Sequence, residues 1–322
     1  MRDAIGGYLG LELSRSDGAL LEGAYKFQTG RAALVALLLA GAPRRVWIPR
    51  YICPVVADAI TQAGVSVMFY SVNSDSTISE ELELCDGDWV ICVNYFGVSE
   101  NLIRGFMQTV PANQLVIDAS QALFSVYSDC LGVFYSPRKF VGVPDGGYLT
   151  TNVSIPMPDD VDTLSVSRML HLLKRIDQGA EYGYRDFREA EASFEGEVPK
   201  QMSLLTRTLL ASINYKHIAA RRRENYEFMQ ERLLDFGECT FALSEESVPL
   251  CYPVVGVNAG VLRLELAAAR VYCPNYWPGL VERDLSQWER TLYARTLFLP
   301  CDQRYGPAEL TDICDLVCGL VG

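Results

Sequence analysis

Histidine is nearly missing from this sequence, with only His171 and His217 among 322 residues, and no two of its ten cysteines stand in a C-x-x-C arrangement. Clustered His and Cys ligands at short spacing are what a structural metal site needs, so no metal site is expected. The thiols are scattered, several of them inside apolar stretches read as strands ("VICVNY", "DICDLVCGL"). That placement points to reduced core thiols in place of a disulfide framework. Positive charge is also scarce: 28 Lys and Arg against 40 Asp and Glu leave a net charge of -12. Phosphate-backbone binding depends on cationic neutralisation, so no nucleic-acid partner is expected. The longest apolar run, "AALVALLLAGA" at 32–42, falls short of the ~20 residues that span a bilayer. The opening "MRDAIGGYLG" lacks an apolar core followed by a cleavage site. The expectation is a cytoplasmic protein with no membrane partner. No G-x-G-x-x-G follows an early strand, which argues against a nicotinamide-binding enzyme.

What is present is a regular alternation between residues 30 and 150. "TGRAALVALLLAG" reads as a helix opened by Thr29-Gly30, "RRVWIP" as a strand, "PVVADAITQAG" as a helix stopped by Gly64, and "VSVMFYSV" as a strand. A strand ("DWVICVNYFG"), a helix ("ENLIRGFMQTV") and two more strands ("NQLVIDAS", "LGVFYS") follow. Short, almost continuously apolar strands separated by helices predict an α/β fold whose mainly parallel sheet is covered on both faces. Beyond residue 155 the pattern changes. A helix mixed with a polar, aromatic-rich loop around "EYGYRDFREAEASFEGEVPK" precedes one or two long helices, and the end of the chain reads as a smaller α+β unit. The division expected is 1–205 for a large domain and 206–322 for a small C-terminal one.

In an open parallel sheet, ligands collect beyond the carboxyl ends of the strands. Three features fall there. Thr29-Gly30-Arg31 opens a helix, where backbone N–H groups and the helix dipole favour a phosphate, Asp118 ends "QLVID", and Lys139 follows "GVFYSPR". A phosphate cradle, a carboxylate and a lysine are the three anchors that pyridoxal phosphate (PLP) requires. The lysine forms a Schiff base and the carboxylate keeps the pyridine nitrogen protonated. Each feature alone has a plainer reading: an ordinary helix cap for Thr29-Gly30, an N-cap of a helix in "SQALFSVY" for Asp118, and a solvated turn for Arg138-Lys139.

Together, these blocks resemble the DegT/DnrJ/StrS-type sugar aminotransferases, PLP-dependent enzymes of fold type I. "VIDASQALF" resembles the family's acidic strand-end block, and "VFYSPRKFVGVPDGGYL" its lysine block with the paired glycine Gly146-Gly147. "TGRAAL" is similar to the phosphate turn, "WIPRYICPVVADAITQAG" to the segment over the cofactor, and "VNYFGV" to the next strand end. "RRRENYEFMQERL" and "LPCDQRY" agree more loosely. The resemblance implies that Lys139 is the catalytic, Schiff-base lysine and Asp118 the pyridinium partner. Gln121 falls where the family contacts the cofactor's phenolic oxygen. Thr29, Gly30 and Arg31 fall at the phosphate turn, with Ser136 as a further donor to the phosphate. Arg31 departs from the family's Thr or Ser. Tyr51 is the aromatic nearest the ring-stacking position, although strict alignment puts Cys53 there. The family's Asn-containing block before the interdomain helix reads "PKQMSLLTRTLL" here, with Ser203 as a substitute.

The function so implied is a transaminase that moves an amino group from a donor, usually glutamate, to a nucleotide-linked keto sugar in polysaccharide or deoxyaminosugar biosynthesis. It implies a homodimer in which the segment 180–203 lies beside the partner's cofactor. Two alternatives share the fold: a PLP-dependent sugar dehydratase, whose members replace the lysine with histidine, and a non-catalytic binding or regulatory protein.

Overall fold

The computed structural model describes residues 5–14, 16, 20–74, 77–79, 82–238, 241–280 and 283–321. The first four residues of the N-terminal stretch, one of the ten cysteines and the last glycine lie outside them. Among the described residues no helix is long and apolar enough to cross a membrane.

The first half builds one mixed sheet of seven strands: β1 (Tyr25–Phe27), β2 (Arg45–Pro49), β3 (Ser66–Tyr70), β4 (Asp88–Val93), β5 (Leu115–Asp118), β6 (Gly132–Tyr135) and β7 (Gly147–Thr151). Their order across the sheet is β1-β7-β6-β5-β4-β2-β3. The five strands from β6 to β3 pair in parallel, and β7 runs antiparallel to both β6 and β1. Every residue of β4, β5 and β6 is buried, as continuous apolar runs at the centre of a doubly covered sheet require. The helices α1 (Gly30–Gly41), α2 (Pro54–Gln62) and α3 (Glu100–Thr109) are the crossover elements. Thr29 caps α1 by accepting the Ala32 amide at 3.0 Å, Pro54 opens α2, and Gly64 ends that segment at φ +75°.

This topology gathers chain segments at one edge. The carboxyl ends of β2, β4, β5 and β6 point the same way. Because β7 is antiparallel, its first residue, Gly147, lies there too, paired with Phe27 at the end of β1. The expected α/β architecture with its mainly parallel sheet is the one observed.

The middle of the chain is helical: α4 (Ser165–Arg168), α5 (Leu170–Asp177), α6 (Ala180–Ala192) and α7 (Leu204–Ala211). Here the sequence reading needs correction, because "EYGYRDFREAEA" is a helix and not a loop. Gly183 is the point where α6 crosses α5, and a Cβ there would stand 2.7 Å from the His171 carbonyl oxygen. Lys174 on α5 donates to both carboxylate oxygens of Asp186 on α6, at 2.9 and 2.7 Å, closing the helical pair.

The long helix α8 (Tyr215–Leu233) leads into the last part of the chain. There β8 (Tyr252–Val255) pairs antiparallel with β9 (Thr296–Leu299), beside α9 (Ala259–Ala268), α10 (Gln287–Ala294) and α11 (Pro307–Val321). "DICDLVCGL" belongs to α11 and is no strand. Cys314 and Cys318 stand one helical turn apart, a spacing that sets both on one helix face.

Candidate active site

The site grows from the junction of β1, β6 and β7. Gly147 has no room for a side chain: a Cβ would overlap the carbonyl group of Thr29 and approach the Gly30 nitrogen at 2.5 Å. Gly146, at φ +129°, donates its amide to the Gln28 carbonyl at 2.6 Å. The paired glycine of the lysine block is therefore the surface on which the turn before α1 rests. Gln28, which sequence reasoning passed over, is 2% exposed. Its Nε2 donates to the Val198 carbonyl at 2.7 Å, and its Oε1 accepts the Lys200 amide at 2.6 Å. The side of the turn away from the sheet is thus fixed as well.

Gly30 sits close to the end of β6. A Cβ there would lie 3.2 Å from the Tyr135 carbonyl oxygen and 3.7 Å from Ser136 Cβ. The structure thus brings Thr29, Gly30 and Ser136 together. In the first turn of a helix the amides have no intrahelical acceptor, and those of Gly30 and Arg31 are in that position. The Arg31 guanidinium donates to the Phe194 carbonyl at 3.1 Å.

Pro137–Lys139 form a single 3-10 turn after β6. Pro137 and Arg138 are packed in, whereas the Lys139 side chain is exposed. Its Nζ donates to Ser120 Oγ at 3.0 Å, and the Ser120 amide donates to Asp118 Oδ1 at 2.9 Å. Asp118 is 3% exposed, so burial raises the proton affinity of its carboxyl, opposed first by the Lys139 charge and then by Ser120. No helix follows Asp118: residues 119–131 hold two short turns and irregular chain, which removes the helix-capping explanation for this carboxylate. Ser120 was missed by sequence reasoning, although it lies inside the quoted "VIDASQALF".

Gln121 is 1% exposed. Its Oε1 accepts the Phe96 amide at 3.0 Å, while its buried Nε2 has no partner among the described residues. A buried amide group without an acceptor costs stability unless something else fills the role.

Tyr51 lies in an aromatic layer. It is fully buried, its hydroxyl donates to the Tyr276 carbonyl at 3.1 Å, and its ring has Trp277 at 5.2 Å and Tyr95 at 5.6 Å. Cys53, two residues on, is half-buried at the start of α2. Burial pushes its thiol up, while the Lys139 charge pulls it down, with Asp118 and Arg31 also in electrostatic range.

Next to the lysine, Arg138 pairs with Glu191 of α6 and stacks 4.5 Å from the Phe194 ring centre. Burial, with Arg168 and Arg31 nearby, draws the Arg138 guanidinium down to about 10. Ser203 caps α7 and donates to the buried Asp145 at 2.8 Å, so the segment replacing the Asn-containing block is tied to the lysine loop. Among the described residues no group of three His, Cys, Asp or Glu side chains is placed to hold a metal.

No family model matches this sequence, and no curated protein matches it. Solved structures do match. A DegT DnrJ EryC1 StrS aminotransferase from Brucella abortus superposes with a TM-score of 0.60, 17% identity, and coverage of 94% of this chain and 86% of that one. PseC of Helicobacter pylori, an aminotransferase involved in the biosynthesis of pseudoaminic acid, gives 0.64 at 16% identity, covering 92% and 86%. NtdA of Bacillus subtilis, solved with the bound cofactor PMP, gives 0.67 at 15% identity, covering 92% and 73%. The fold is that of an aminotransferase of this kind. Within that class it is the fold shared by the DegT/DnrJ/EryC1/StrS proteins, as the sequence blocks imply.

Proposed function

We propose that the protein is a PLP-dependent aminotransferase acting on a nucleotide-linked keto sugar. One observation carries the reading: an exposed lysine, a buried carboxylate and a glycine-lined helix start, distant in sequence, meet at one sheet edge. The residues present fit the cofactor. The Gly146-Gly147 step lets the turn that opens α1 pack directly on the lysine block, and among the described residues the Gln121 amide nitrogen lacks a protein acceptor. Asp118 is a buried carboxylate of the kind that calls for a cationic partner, here a protonated ring nitrogen.

PLP, when bound, supplies a conjugated ring that withdraws electrons from the carbon next to an attached amine. Everything else is done by side chains. Asp118 holds the proton on the ring nitrogen. Gly30, Arg31, Thr29 and Ser136 bind and orient the phosphate. Gln121 donates to the phenolic oxygen. Lys139 provides the amine for covalent attachment and, once freed, moves a proton at the substrate carbon, a dual role suited to a lysine amine. Lysine at this position also favours transamination over the histidine-dependent dehydration.

The sugar assignment is supported by two further structural neighbours. One is DesI, solved in the presence of its TDP-sugar product, and another is the sugar aminotransferase CalS13 of Micromonospora echinospora. We assign glutamate as the donor, the cytoplasm as the location and a polysaccharide or deoxyaminosugar pathway as the setting. A division near residue 205 and a homodimer belong to the same proposal. Incubation of the PLP-loaded protein with glutamate and a panel of nucleotide-linked keto sugars, followed by mass analysis, tests it. An amino-sugar product is expected, and no product from any member would contradict the substrate class.

A further inference from the structure

We infer that Arg222, acting with Gln303, is a positioning residue for Lys139: it holds the carbonyl of Phe140, the residue after the lysine, and so sets where the amine stands. The inference rests on the cofactor reading above. Both residues come from stretches that the sequence singled out without giving them a task, "RRRENYEFMQERL" and "LPCDQRY".

Arg222 lies on α8 and is 2% exposed. A guanidinium at that depth ordinarily sits against a carboxylate, because an unmatched buried charge is costly. Among the described residues no carboxylate pairs with it, and Asp302 is engaged by Arg304 at 2.7 Å. Its donors reach neutral oxygens instead. Nε donates to Gln303 Oε1 at 2.8 Å, Nη1 to the Pro249 and Leu250 carbonyls at 3.0 Å each, and Nη2 makes a long contact of 3.4 Å with the Phe140 carbonyl. Gln303 Nε2 donates to that same Phe140 carbonyl at 2.9 Å. The guanidinium also lies 4.6 Å over the Phe140 ring, whose other neighbour is Phe124 at 5.7 Å, edge on.

Phe140 is the residue after Lys139, so the C-terminal half of the chain grips the lysine turn on that side. On the other side, Arg138 is gripped by Glu191 and Phe194. Lys139 stands exposed between two clamped neighbours. Hydrogen bonds from a charged donor are about twice as strong as neutral ones, which gives a buried guanidinium an advantage in holding carbonyls. Such rigidity matters because a reacting amine misplaced by about 1 Å loses about 100-fold in rate.

The test uses the full chain with Arg222→Met, Arg222→Lys and Gln303→Glu. Gln303→Glu keeps the size of the side chain and removes its donor to Phe140. Two quantities are measured for each: the rate at which PLP becomes covalently fixed to Lys139, and the affinity for pyridoxamine phosphate, which needs the pocket but not the lysine. A positioning role predicts that Arg222→Met and Gln303→Glu slow attachment about tenfold or more, with pyridoxamine phosphate affinity within about twofold of wild type. Arg222→Lys, which keeps the charge without the fork, should fall between. Attachment at the wild-type rate in a folded variant overturns the inference. So does a parallel fall in both quantities, which is what general loosening would produce. If wild type itself does not attach PLP, the cofactor reading fails instead. Hydrogen exchange at residues 139–143 of the cofactor-free protein then still decides the anchoring: faster exchange in Gln303→Glu supports it, and unchanged exchange refutes it.

Discussion

Lys139 Nζ stands 3.0 Å from Ser120 Oγ, and the amide of that same serine donates to the Asp118 carboxylate at 2.9 Å. One short side chain therefore connects the exposed amine at the end of β6 with the buried acid at the end of β5. Ser120→Ala removes the contact to the lysine but keeps the backbone donor to Asp118. A net hydrogen bond is worth about 1 kcal/mol. Because this bond is made in the cofactor-free protein, we expect its loss to lower unfolding free energy by about that amount at most and to shift PLP attachment to Lys139 about fivefold toward the attached form, as followed by urea denaturation and absorbance titration.

Asp118→Asn should lower the transamination rate about 100-fold or more, about 2.7 kcal/mol of barrier, because an amide does not hold the ring nitrogen protonated. A near-normal rate would return Asp118 to a structural role.

The same residue yields a pH prediction. Burial raises the Asp118 carboxyl above its ordinary range. The folded, cofactor-free protein therefore binds this proton more tightly than the unfolded chain does. Its contribution favours folding below the unfolded value, near 3.9, and is lost as pH rises through the higher folded value. The stability of Asp118→Asn minus that of wild type should grow with pH over that window, measured by thermal unfolding. A difference that is flat in pH would contradict the assignment of burial as the main cause.

Gly147→Ala should damage the fold and the phosphate turn together, because its Cβ would meet the Thr29 carbonyl group. Overpacking of this kind costs about 1–3 kcal/mol. The expected result is reduced stability in urea with a still larger loss of affinity for pyridoxamine phosphate. Unchanged affinity would separate the glycine pair from the cradle.

The helices α4 to α6 leave Val166, Leu170, Leu173, Ile176, Tyr182 and Tyr184 exposed, and α6 also supplies Glu191 to Arg138. Exposed apolar side chains on the helices next to the site support the proposed dimer. Light scattering at micromolar concentration should give about twice the 35.8 kDa chain mass. Mixing inactive Lys139→Ala chains with chains inactivated in residues 180–203 should restore part of the activity, and an active monomer would defeat the dimer.

The sheet was legible in the sequence because β4, β5 and β6 are apolar runs broken only by Asp88 at the start of β4 and Asp118 at the end of β5, a pattern that a doubly covered strand needs. Asp118 and Lys139 were legible for the opposite reason, as charges at the ends of such strands. Harder to read were contacts made across the fold. Gly183 gives no sign of its helix crossing with His171, and nothing in "LPCDQRY" announces that Gln303 reaches the Phe140 carbonyl. The four-residue spacing of Cys314 and Cys318, about one helical turn, was masked by the apolar density around them. Tyr51 and Cys53 differ by two positions in sequence but by an entire environment in space, one sealed in an aromatic layer and the other within electrostatic range of the lysine.

The central claim is that Lys139 is the amine that takes up PLP. Borohydride reduction of the PLP-treated protein, followed by peptide mapping, tests it most directly. The account predicts a yellow protein in which reduction fixes the cofactor to the peptide containing Lys139, and a colourless Lys139→Ala variant that still binds pyridoxamine phosphate. Attachment at a different lysine, or a wild-type protein that stays colourless with added PLP, would contradict it.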